Sequence, residues 1–125
     1  WYGLAFERVC KAHMQQIKES LGIAGVSTEF YTWKSKQTED GAQIDIVIDR
    51  ADNTINICEV KYSEDLYSLG KDEFLKIQNR IKAFKDVTGT RSSIIPTMIT
   101  TFGMKDGMYS DHIIAKIDMD DLFQS

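Results

Sequence analysis

Two segments near the middle of the chain, "QIDIVIDR" (43–50) and "TINICEVKY" (54–62), constrain the fold more than any other feature. Both are dense in β-branched residues, and the "ADN" between them supplies Asp52 and Asn53, residues that accept turn conformations readily. The pattern predicts a β-hairpin. Side chains alternate across a strand, which puts Gln43, Asp45, Val47 and Asp49 on one face and Ile44, Ile46 and Ile48 on the other. On the second strand Ile55, Ile57, Glu59 and Lys61 share a face. If the hairpin turns symmetrically about Asp52, Asp45 faces Glu59 and Gln43 faces Lys61.

The remaining segments supply what such a hairpin needs for cover. From Gly3 to Leu21 the apolar positions Phe6, Val9, Cys10, Met14, Ile17 and Leu21 recur at helical steps, predicting one amphipathic helix closed by Gly22. "VSTEFYTWK" (26–34) reads as a strand and "SKQTEDG" (35–41) as a polar loop. "KDEFLKIQNRIKAFKDVTG" carries Phe74, Ile77, Ile81 and Phe84 at helical spacing, with Gly89 as a C-terminal stop. "SIIPTMITTF" (93–102) is a strand whose Pro96 belongs at an edge or irregularity, because proline cannot donate to a ladder. "HIIAKID" (112–118) reads as a last strand, and "MDDLF" as a short helical turn. The order α-β-β-β-α-β-β predicts an α/β domain with a mixed central sheet flanked by helices.

At 125 residues the chain has room for one core, so residues 1–125 are read as one domain. It begins "WYGLAFERVC", without an initiator methionine, as a piece of a longer protein would. No apolar run approaches the roughly 18 residues of a membrane span, which predicts a soluble, cytoplasmic domain with no membrane partner. Cys10 and Cys58 lack metal-binding spacing and read as buried thiols. A net charge of −4 argues against nucleic-acid binding by overall electrostatics, though not against a local basic face.

The charges in the hairpin are the features that demand chemistry. Apolar neighbours on both faces imply that it is covered on both sides, where charge is costly unless paired or bound to an ion. Directly opposed residues have Cβ atoms about 4.5–5.5 Å apart, so Asp45 and Glu59 would need a compensating cation. Lys61 is one candidate. A divalent metal is the other, since Asp and Glu oxygens suit Mg²⁺. The plainer reading, a solvated surface with a weak ion pair, is the commoner fate of such residues.

Asp45 followed by Glu59-Val60-Lys61 resembles the PD-(D/E)XK nuclease superfamily, whose pattern is an acidic residue on one strand and (D/E)-x-K on the next. The resemblance is closer to the nuclease-like domain at the C-terminus of certain prokaryotic AAA-type ATPases. There "GxQIDxxIxR" leads into "xNICExKYS", then a helix, "MITTFG" and a final "DDLF", a pattern that covers nearly this whole chain. The resemblance implies a restriction-endonuclease-like fold and metal-dependent phosphodiester hydrolysis, with DNA as partner. It also implies an N-terminal ATPase domain of the same chain; no P-loop occurs in these residues. By the same resemblance, Asp45 and Glu59 coordinate Mg²⁺ (or Mn²⁺) with a main-chain carbonyl from Val60, and Lys61 orients or activates the attacking water. Glu7 of "LAFERV" matches an additional acidic residue on the first helix, and Gln43 matches the glutamine of the "GxQID" pattern. The alternative is a catalytically inactive module that keeps the fold for binding DNA or protein.

Outside the hairpin, Lys71, Gln78, Lys82 and Lys85 share roughly one helix face, with Lys76 and Arg80 nearby, a stripe fit for phosphates or simply for water. His13 and His112 have no partner spacing. Trp1, Tyr2 and Trp33 are fit either to stack on bases or to pack against a neighbouring domain.

Overall fold

The computed structural model describes residues 2–36 and 42–123; Trp1 and most of the predicted polar loop lie outside the described residues. Its elements are α1 (Tyr2–Ala12), α2 (Met14–Ser20), β1 (Thr28–Ser35), β2 (Ala42–Arg50), β3 (Thr54–Lys61), α3 (Lys71–Thr88), β4 (Ser93–Thr100), β5 (Ala115–Ile117) and α4 (Met119–Leu122). The five strands form one mixed sheet in the order β1-β2-β3-β4-β5. β1, β2 and β3 run antiparallel, α3 carries the chain across to β4 parallel to β3, and β5 adds parallel to β4. The expected mixed α/β architecture is observed.

The hairpin register is the one that symmetry about Asp52 requires, from Arg50 opposite Thr54 to Ile46 opposite Cys58. Asn53 closes the turn at φ 61°, a left-handed conformation that asparagine tolerates better than most residues. Gly89 ends α3 at φ 65°, its N–H bonded to the Lys85 carbonyl, as the sequence predicted. Pro96 lies opposite Ile57, while β5 reaches only Thr97 to Ile99, so the proline sits on a stretch of β4 whose outer edge no strand of the described residues pairs with.

The long N-terminal helix is interrupted. His13 leaves helical geometry at φ −121°, ψ 35°, and its Nδ1 lies 2.7 Å from the Val9 carbonyl. That carbonyl would otherwise receive the His13 N–H, which turns to Cys10 instead. The last strand is also shorter than expected. Ser110–His112 form a 3₁₀ turn, and only three residues of "HIIAKID" pair with β4.

Each sheet face is buried. Ile46, Ile48, Cys58, Ile99 and Ile117 pack with Phe6, Cys10, Ile17 and Leu122 from α1, α2 and α4. On the other face Ile44, Val47, Ile55 and Ile57 pack under Phe84 of α3, with Trp33 alongside. The cover predicted on both sides of the hairpin is therefore present. Ile44, however, lies on the α3 side while Ile46 and Ile48 lie on the other, contrary to strict alternation. The reason is a β-bulge: Tyr31 pairs with Val47 and Trp33 with Ile44, so Thr32 alone opposes both Asp45 and Ile46.

Candidate functional site

The bulge is what aims Asp45. The Thr32 hydroxyl donates to the Asp45 carbonyl at 2.9 Å and itself accepts from Lys11 Nζ at 3.0 Å, stitching the irregular turn of β2 to β1 and α1. The ladder between β2 and β3 ends at Ile46 and Cys58, and beyond it the Asp45 side chain replaces backbone pairing: Oδ2 accepts from the Val60 N–H at 2.9 Å. Bulges commonly re-aim a side chain in this way. Val60 thus reaches the site through its peptide N–H.

Glu59 is the most unusual group here. Only 3% of its surface is exposed, at the point where β3 passes under α3. Oε2 accepts a charged contact from Arg80 Nη1 at 3.0 Å, but Oε1 is buried without a hydrogen-bond partner among the described residues. Burial pushes its pKa up to about 7 against the usual 4.5; Arg80 opposes the rise and the nearby Asp45 charge adds to it. An orphaned carboxylate oxygen in a dry place costs free energy of about 1–3 kcal/mol or more.

Glu7 approaches from α1. Its pKa is raised, first by burial and then by the charge of Asp45, with a hydrogen bond to Asp45 adding to the effect. Lys11, one turn on, stands 3.8 Å from Glu7 and offsets part of this repulsion. Asp45, Glu59 and Glu7 are thus drawn from three elements into one electrostatic cluster.

Lys61 closes the opposite side. Its Nζ lies 2.6 Å from Glu73 Oε1 on α3. Burial works against the ammonium, but the hydrogen bond and charge of Glu73 outweigh it and raise the Lys61 pKa. Burial likewise works against the Glu73 carboxylate, and Lys61 and Arg80 outweigh it and lower the pKa. Both partners are therefore charged. Gln43 does not stand beside Lys61 as symmetry alone would have it. The bulge carries this end of β2 away from the β3 ladder, Gln43 pairs with Lys34 of β1, and its side chain is exposed.

Sequence reasoning missed Glu73 and placed Arg80 among the surface lysines. Arg80 instead turns inward, bridging Glu59 at 3.0 Å and Glu73 at 3.6 Å. The signal was present in the spacing: Glu73, Ile77, Arg80 and Phe84 recur at steps of four, three and four, one face of a helix, and Ile77 and Phe84 mark it as the buried face. Tyr67 was also missed. Burial pushes its phenol up, Lys61 offsets part of that, and Glu73 and Glu59 add to it. Lys71, Lys76, Gln78, Lys82 and Lys85 are all exposed. Trp33 packs edge-on against Phe84 at 5.3 Å, and Tyr2 stacks on Tyr62 at 5.4 Å. Cys10 and Cys58 are buried free thiols, as expected.

The donor set suits a hard divalent cation. It offers carboxylate oxygens, one of them orphaned, and like charges that a cation would relieve. Among the described residues no three His, Cys, Asp or Glu side chains already surround one point closely enough to hold an ion. A cation at Asp45 and Glu59 would therefore keep several other oxygen ligands, which is how Mg²⁺ is usually bound.

No protein-family model matches the chain, and no curated protein matches it. A solved structure titled "Crystal Structure of Protein of Unknown Function AF1548" superposes with a TM-score of 0.56 over 83% of this chain, at 16% identity. The chain spans about half, 52%, of that protein's length. At this identity the likeness speaks to the fold alone. Among the described residues no helix is long and apolar enough to cross a membrane.

Proposed function

We propose that the domain is a metal-dependent phosphodiesterase of the PD-(D/E)XK type, acting on nucleic acid, with DNA as the first candidate substrate. The observation that carries this reading is Glu59: a carboxylate buried within the field of Asp45, with one oxygen left unpartnered among the described residues, next to a lysine held in its charged form. A fold could satisfy Glu59 by closing Oε1 with a donor. Leaving it open while bringing Asp45 and Glu7 near is an arrangement that a cation completes.

In this reading Asp45 and Glu59 hold Mg²⁺ or Mn²⁺, and Glu7 supports Asp45 from α1. The ion, when bound, polarises a phosphodiester and offsets the negative charge that develops on it. Asp45 is held for that task by the Val60 N–H and by the Thr32 clasp on its carbonyl. Lys61, steadied by Glu73, presents an ammonium beside the carboxylates, where it orients the attacking water and stabilises developing charge. The exposed lysines of α3 guide the phosphate backbone. A cytoplasmic location and an ATPase domain in the same chain belong to the same proposal.

The test is a plasmid-nicking and oligonucleotide-cleavage assay with Mg²⁺ and with Mn²⁺, on DNA and on RNA, using Asp45→Asn as the blank. Metal-dependent cleavage that Asp45→Asn abolishes is the expected result. Absence of cleavage on every substrate, with the full-length chain as well as the domain, would favour the competing reading of a binding module.

A further inference from the structure

The bonding of Arg80 is incomplete in a way that the ion pairs do not explain. Its nearest approach to each carboxylate runs through Nη1, to Glu59 at 3.0 Å and Glu73 at 3.6 Å, and neither Nε nor Nη2 donates a hydrogen bond to any described residue. The side chain is about a quarter exposed, so those spare donors are not sealed in the core. A guanidinium offers five donors in a planar fork that matches carboxylate and phosphate oxygens. Here it stands directly beside the carboxylate with the orphaned oxygen, between Glu59 and the Lys61–Glu73 pair.

Resting on the reading above, we propose that Arg80 is a phosphate-contacting residue of this site, and that its bond to Glu59 is the resting arrangement adopted without a divalent ion. Arg80 then serves as the cation that neutralises Glu59 while no ion is bound. When a divalent ion takes over Glu59, the guanidinium stays anchored by Glu73, only 3.6 Å away, and turns its fork to a phosphate oxygen of the nucleic acid. One arginine thus links ion occupancy to substrate binding. Nucleic-acid affinity should acquire a component that depends on the ion and that Arg80 carries.

The experiment uses a fluorescently labelled 20-base-pair DNA duplex, titrated with protein in Ca²⁺ and in EDTA and read by anisotropy. Calorimetric Ca²⁺ titration and thermal melting are run on the same samples. Ca²⁺ takes oxygen ligands as Mg²⁺ does, with a looser geometry. Wild type should bind the duplex at least tenfold more tightly in Ca²⁺ than in EDTA. Arg80→Lys keeps a cation beside Glu59 and so protects the fold, but it lacks the fork. It should hold Ca²⁺ within a few-fold of wild type and lose about tenfold of the Ca²⁺-dependent DNA affinity, the worth of one charge-assisted hydrogen bond. Arg80→Met should lose that component entirely while binding Ca²⁺ more tightly, because the competing charge is gone.

Duplex binding in Ca²⁺ that is unchanged in both folded variants overturns the proposal, as does wild-type DNA affinity indifferent to Ca²⁺ that demonstrably binds. If wild type binds no divalent ion, the calorimetry shows it independently; the metal site falls, and this proposal with it.

Discussion

The two ends of the β2–β3 hairpin each bury polar groups, and they treat them in opposite ways. At the turn, Arg50 grips Asp52 through Nε and Nη2, at 3.0 and 2.6 Å, and spends Nη1 on the Asn56 side-chain carbonyl at 3.1 Å. Asn56, almost fully buried, passes its own N–H to Thr97 Oγ1 at 3.0 Å, and the Thr97 hydroxyl donates to the Ile95 carbonyl. The hydrogen bond from Arg50 holds the Asp52 carboxyl below its ordinary range. At the other end, among the described residues, Glu59 keeps an orphan oxygen and Arg80 donates no hydrogen bond through Nε or Nη2, while the pKa values of Glu59 and Glu7 are raised. The same two strands carry both networks, and the bulge sets the ends apart: at the turn the ladder is regular, whereas at the far end it stops and the Asp45 side chain replaces backbone pairing. A saturated network holds a fold together, whereas an unsaturated one invites a ligand.

The sharpest way to break this comparison is through activity. Lys61→Ala should cost about 10²–10⁴-fold in single-turnover cleavage, the usual worth of a positioned proton-transfer or charge-stabilising group. Lys82→Ala, on the exposed face of α3, should leave that rate nearly intact and only weaken DNA binding and its salt dependence. Equal, mild losses in the two variants would remove Lys61 from the chemistry.

The next effect is on stability without metal, and its sign follows from Glu59. Its pKa of about 7 in the native chain exceeds the 4.5 of an ordinary glutamate. Below pH 4.5 both folded and unfolded chains hold the proton. Between 4.5 and 7 the unfolded chain releases it and the native chain keeps it, so stability falls as pH rises, by roughly 3 kcal/mol in all, and then levels off. Other carboxylates, Glu73 among them, are lowered and push the other way, so the effect is read as a difference. Urea-denaturation midpoints in EDTA should show wild type losing ground to Glu59→Gln across this window. Parallel curves would mean that Glu59 ionises freely.

A smaller change should mark the saturated end. Asn56→Ala strands Thr97 and one arm of Arg50, and should cost about 1–3 kcal/mol, the same with and without Mg²⁺. A cost that shrinks when Mg²⁺ is added would tie the turn to the proposed metal site and erase the distinction between the two ends.

Much of this was readable from residue order. The hairpin register followed from a symmetric turn, and Asn53 at φ 61° is the kind of residue that closes one. The cover on both faces followed from isoleucines on both faces. What alternation could not supply was the bulge, because an extra residue in β2 leaves no mark in a period-two pattern. Ile44 and Gln43 were therefore misplaced, while Asp45, at the bulge itself, was still brought toward Glu59. Arg80 was misread for a different reason. Charge suggested a surface lysine neighbour, and only its helical phase with Ile77 and Phe84 reveals that it faces the sheet. The break at His13 depends on a ring nitrogen competing for the Val9 carbonyl, which no periodicity reports.

The central claim, that the unsaturated end of the hairpin is completed by a divalent ion, is tested most directly by calorimetric titration of Mn²⁺ at pH 6, in two buffers of different ionisation enthalpy, with wild type and Asp45→Asn. The account predicts one ion per wild-type chain and release of close to one proton as Glu59, protonated at that pH, gives it up. That release should fade by about pH 8.5, and Asp45→Asn should bind far more weakly while staying as stable as wild type without metal. Mn²⁺ binding that Asp45→Asn leaves unchanged, or no binding by a folded wild-type chain, would contradict it.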